Sequence, residues 1–154
     1  MITDLLIADH QAGTDFFSLA GNSVLPARAE RAGQLDFFRT LWTRHRAALD
    51  RAVFPVLLQG AAHDDLVVAL RGYLDAVDTH LDRLSRDPDY GAAAPDDWLT
   101  DFERLKDAFD AAAEAETTDL IPLILNSLRP DQVAAMTHEA VARRAEPAAG
   151  AAGA

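Results

Sequence analysis

The chain predicts an all-α fold, an antiparallel up-down four-helix bundle closed by a short C-terminal helix. Three observations carry that expectation. Apolar residues recur at steps of three and four over long stretches, as they do along one face of a helix. No stretch keeps the strict alternation over five or more residues that marks a half-exposed strand. Breaks rich in glycine and proline then divide the periodic sequence into four long segments and one short one.

The first helix is expected from Thr3, as N-cap, to Ala20, ending at a Gly21-Asn22-Ser23 turn and a loop with Pro26. The second runs from Ala27 to Gln59, with Gly33 as a break near its start and Pro55 as a bend near its end. A third spans His63 to Arg86 and stops at Asp87-Pro88-Asp89-Tyr90-Gly91. Asp96 is the expected N-cap of the fourth, which reaches Ser127 and carries Pro122 near its end. A short fifth helix, Asp131 to Arg144, is expected to pack across one end of the bundle. These elements make one domain, residues 1–145, followed by a low-complexity Ala/Gly-rich tail, residues 146–154, expected to be disordered.

The two halves look like a weak internal repeat. A shift of 67 residues lays Val53-Phe54-Pro55 over Leu120-Ile121-Pro122 and the core positions Phe38 and Trp42 over Leu105 and Phe109.

Composition removes several function classes. With 154 residues and 49% hydrophobic content the chain can bury a core of its own. A net charge of −11 opposes binding to a nucleic-acid backbone or an anionic membrane. No run reaches the roughly 20 apolar residues of a membrane span, and the N-terminus lacks the basic segment of a signal peptide, so a cytoplasmic protein is expected. Without cysteine, chemistry must come from histidine, carboxylates or a cofactor.

Bundles place cofactors between their helices, so polar residues on apolar stripes are the informative ones. Three stand out. Glu116 interrupts the stripe Trp98, Phe102, Leu105, Phe109, Ala112, Leu120; His45 lies on Leu35, Phe38, Trp42, Leu49, Val53; and His10 lies on Leu6, Gly13, Phe17, where Gly13 leaves room for a neighbour. Two imidazoles and a carboxylate form the ligand set of a mononuclear site for iron, zinc or manganese. The plainer alternative is hydrogen bonding within the core, with Glu116 paired to Arg44 or Arg46. Counting residues down the second helix from His45 and back up the third reaches Tyr73 or Leu74. The same count keeps His63 and His80 out of that site: His63 is expected in solvent near a helix start, and His80 on Asp107 or Glu103. His138 is expected to be exposed.

Ala8-Asp9-His10, His45 followed by Val53-Phe54-Pro55, and Glu116 followed by Leu120-Ile121-Pro122 resemble the hemerythrin-like (HHE cation-binding) family. The family's pattern is a His in the first and third helices and a His-x3-Glu before an apolar-Pro step in the second and fourth. Leu49, Leu74 and Ala112 stand here where that pattern has Glu, His and His. The resemblance implies that the ligands of one iron, His10 and His45, are kept with the bridging Glu116, and that apolar residues fill the second iron's place. One metal beside an apolar pocket lined by Leu49, Tyr73, Leu74 and Ala112 follows, open to O2 or a small organic molecule, as in an oxygen-dependent enzyme. Two other functions stay open: a haem-binding bundle with His10 or His45 as axial ligand, and a metal-free interaction or scaffold domain.

Overall fold

The structure, a computed structural model of the chain, describes residues 1–21, 28–91 and 94–145. It is all-helical, with no strand among the described residues. The expected turn at Asn22-Ser23, the loop with Pro26 and the tail 146–154 lie outside the described residues.

Helix α1 covers Ile2–Gly21 and α2 covers Arg28–Ala48. Then α2 runs into a π-helical turn, Leu49–Val53, and the short α3, Phe54–Leu57. A 3-10 turn, Ala61–His63, leads into α4, Asp64–Ser85. The next helix, α5, Pro95–Ala115, passes through a second π-helical turn, Glu116–Leu120, into α6, Ile121–Ser127. Last comes α7, Pro130–Ala145.

Proline explains the two π turns. In an α-helix the ring of Pro55 would crowd the carbonyl of Arg51, and that of Pro122 the carbonyl of Thr118, while neither proline offers an N–H to the ladder. One wider turn relieves both conflicts. Accordingly the Phe54 N–H reaches back five residues to the Leu49 carbonyl, and the Ile121 N–H reaches the Glu116 carbonyl. The limits of α2, of its π turn and of the start of α3 recur 67 residues later in α5, the second π turn and α6. The expected repeat is thus present in the backbone, down to its irregular turn.

Three local expectations are corrected. Helix α1 already contains Ile2, so Thr3 is inside the helix and buried rather than capping it. Ala94 precedes α5 without a side-chain cap, and Asp96 sits in the first turn, where its charge complements the helix dipole. Gly33 does not break α2, because an exposed glycine costs a helix only about 1 kcal/mol.

The core is aromatic where the helices approach most closely. Phe16 stacks on Phe38 at 5.1 Å, Phe17 lies 5.5 Å from Phe109, and Trp42 stacks on Phe38 at 6.4 Å. Gly13 makes this possible: a Cβ there would fall 2.2 Å from the Phe109 ring. The chain reverses after α4 through Asp87, whose carboxylate accepts the N–H groups of Asp89 and Gly91. Gly91 has φ +78° and lies against Trp98, where a Cβ would come within 2.4 Å of the side chain.

Helix α7 does not simply cross one end. The Ile2 N–H donates to Thr137 Oγ1, and Arg144 donates to Asp9. Both pairs have the same sequence separation, so α7 runs parallel to α1 for two turns. Met136 and Ala140 bury its inner face, and it also touches α2 and the first π turn. No helix among the described residues is long and apolar enough to cross a membrane.

Candidate metal centre

His10, His45 and Glu116 come together from three helical segments. Their candidate ligand atoms all lie within 4.8 Å of one another. α1 supplies His10 one turn after Leu6, α2 supplies His45 one turn after Trp42, and Glu116 opens the second π turn. A π turn at a functional position is common, because the extra residue re-aims the side chains around it.

His10 Nε2 is 2.8 Å from Glu116 Oε2, and His45 Nε2 is 3.1 Å from Glu116 Oε1. Each imidazole thus meets a different oxygen of one carboxylate. Glu116 is 1% exposed and His45 is 2% exposed, while the His10 side chain retains 11% of its surface. The Trp42 ring lies over the His45 ring at 5.4 Å, and the Trp42 Nε1–H donates to Asp78. Of the two arginines expected as alternative partners, Arg44 is exposed and Arg46 binds Asp50, Asp75 and Asp78.

Electrostatics couple the three groups. Burial by itself pulls the His45 imidazole down, but Glu116 and Asp9 overcome it and raise the pKa from 6.5 to about 9. Burial by itself pushes Glu116 up, but the His45 and His10 imidazoles bring it from 4.5 to about 2. His45 therefore faces a carboxylate at each ring nitrogen, Asp9 Oδ2 at Nδ1 and Glu116 at Nε2. Two acceptors require two protons on the ring, or a cation in place of the Nε2 proton.

That alternative fits a divalent ion. Donors about 2.1 Å from a common ion lie roughly 3 to 4 Å apart. The His45–Glu116 spacing of 3.1 Å falls at the short end of this range and the His10–Glu116 spacing of 2.8 Å just below it, so an ion would spread the donors apart. Nitrogen and carboxylate donors of this kind suit iron, zinc and manganese.

The other expected residues divide. Leu49, Leu74 and Ala112 are all 1% exposed or less and belong to the hydrophobic core. Tyr73 is 44% exposed and faces outward from α4, so it does not line an interior pocket. The helical step from Leu74 to its neighbour turns the side chain by about 100°, away from the core. His63 precedes α4 at a helix start and is half-buried. The expected bond from His80 to Asp107 or Glu103 is not made through Nδ1, which is buried without a partner. His138 is exposed at the rim of a cleft between α6 and α7.

Sequence reasoning missed Asp9. It is 6% exposed and touches His45, yet on a helical wheel it stands beside His10 and reads as solvated. A usable signal existed in the seven-residue spacing of Ile2, Asp9 and Phe16, all three buried.

Comparison of the chain with protein-family models, with curated proteins and with solved structures finds no match.

Proposed function

We propose that the chain is a hemerythrin-like metal-binding protein, an antiparallel up-down four-helix bundle in which His10, His45 and Glu116 hold one non-haem iron. The apolar residues Leu49, Leu74 and Ala112 form the pocket beside it, and O2 or a small organic molecule is the ligand. The reading rests on one observation: the Nε2 atoms of two histidines from different helices converge on the two oxygens of a single buried carboxylate. The repeat of the two halves, with its matching π turns, supports the bundle.

When bound, such an ion supplies a Lewis acid with open coordination positions and, as iron, redox chemistry for an oxygen-dependent enzyme. The residues of the chain hold it, and their burial keeps water away. Zinc or manganese would use the same donors. Haem is less well supported, because an axial histidine would have to leave Glu116 and deprive one oxygen of a buried carboxylate of its partner.

A metal-free interaction or scaffold domain is the second reading. It is favoured by the way the His and Glu groups already satisfy one another.

Anaerobic loading with ferrous iron separates the readings. In a Trp98→Phe background the protein takes up one equivalent, and Trp42 fluorescence falls as the site beside its ring fills. Uptake far below one equivalent, or uptake that persists in Glu116→Ala, removes the metal reading. A melting temperature insensitive to chelator supports the metal-free one.

A further inference from the structure

Asp9 is the one member of the buried polar cluster that the metal reading leaves without a task. Its Oδ2 lies 3.1 Å from His45 Nδ1, on the side of the ring opposite Glu116, and the same oxygen accepts a bond from Arg144 Nη2. Arg144 is not there by chance of rotamer alone. The parallel run of α7 along α1, pinned two turns earlier by the bond from Ile2 to Thr137, sets the level at which Arg144 meets Asp9.

We propose that Asp9 is a positioning residue for His45 and that Arg144 locks it in place, which makes the C-terminal helix part of the metal centre. The inference rests on the single-metal reading for its ligand.

The chemistry is that of tautomers. A neutral imidazole can ligate through Nε2 only when its proton sits on Nδ1. With no acceptor at Nδ1, His45 would be free to place its proton on Nε2 and donate it to Glu116, which closes the site to a cation. A carboxylate at Nδ1 selects the ligating tautomer, fixes the ring plane and makes Nε2 a better donor. Arg144 supplies a countercharge beside Asp9, which is 6% exposed, and fixes the carboxylate in place. Asp9 itself is too far around the ring to touch the metal.

A purely structural role is the competing account: the pair could only fasten α7 to α1. Cobalt(II) affinity by visible absorbance and 15N spectra of the zinc-loaded protein tell the two apart. Positioning predicts that zinc-loaded wild type carries the Nδ1–H tautomer at His45. It also predicts that Asp9→Ala loses ~10–100-fold in cobalt affinity. Asp9→Asn, which still offers an acceptor oxygen, should recover part of that loss, and Arg144→Gln should lose less than Asp9→Ala. A lowered melting temperature in Asp9→Ala and Arg144→Gln with unchanged cobalt affinity would overturn the proposal, as would an Nε2–H tautomer in zinc-loaded wild type. That last measurement needs no variant to fold. Wild type that binds no cobalt fails at the metal reading itself, whereas wild type and Asp9→Ala that bind alike fail only here.

Discussion

The two π turns make the same backbone shape and carry opposite chemistry. In the first, Leu49 opens the turn as a fully buried apolar residue; 67 residues later Glu116 opens the second and is 1% exposed. The backbone device follows from Pro55 and Pro122, whose rings forbid a regular α turn before them. The side chain placed at its start is free to differ. The half with the leucine contributes both histidines, and the half with the glutamate contributes none of the imidazoles, since Leu74 and Ala112 are apolar. A repeated fold has therefore kept its geometry in both halves while the polar groups collect into one asymmetric cluster.

Changing Glu116 should have the largest effect on ligand binding. Glu116→Leu makes the second turn resemble the first and should abolish cobalt binding in an absorbance titration. Glu116→Gln, which keeps the shape without the charge, should weaken it by at least ~100-fold, the equivalent of about 3 kcal/mol. Equal cobalt affinity in wild type and Glu116→Gln would erase the distinction between the turns.

The matching change in the first turn should act on stability instead. Leu49→Ala removes a fully buried side chain and is expected to cost about 2–5 kcal/mol in denaturant unfolding. Its cobalt affinity should stay within about tenfold of wild type if Leu49 only packs.

Charge at the second turn also predicts a pH signature in chelator-treated protein. His45, raised to about 9, contributes stability that is complete below pH 6.5 and disappears as pH rises through about 9. Glu116, lowered to about 2, contributes stability that is complete above pH 4.5 and disappears as pH falls through about 2. These are two views of one interaction, of order a few kcal/mol. Unfolding free energy measured across pH should therefore fall at both ends in wild type, and the acid limb should flatten in Glu116→Gln. An unchanged acid limb would detach Glu116 from the cluster.

The smallest effect concerns the close approach of α1 to the second half. Gly13→Ala drives a methyl group into the Phe109 ring and should cost about 1–3 kcal/mol by thermal or chemical unfolding. Phe109→Leu in the same chain should recover part of the loss, since the two changes share one space.

Much of this was legible before any coordinates. Helical period placed Leu6, Phe38, Trp42 and Leu105 in the core, and the same stripes placed His45 and Glu116 there as exceptions. The proline steps marked both irregular turns. Tyr73 was misjudged because a level count along two helices fixes height and not rotation, and one residue of rotation separates buried Leu74 from exposed Tyr73. Thr3 and Asp96 were misjudged because residues that favour caps also occur inside a first turn.

The sequence by itself determined the helices, their apolar faces and the inward turn of His10, His45 and Glu116, because those depend on period and on chemistry within a few residues. Only the tertiary structure decided that His10 and His45 meet opposite oxygens of Glu116, that Asp9 backs His45, and that Arg144 reaches Asp9 from the other end of the chain. Those pairings depend on how far each helix is rotated and slid against its neighbours. Packing of whole faces sets that, and no local spacing encodes it.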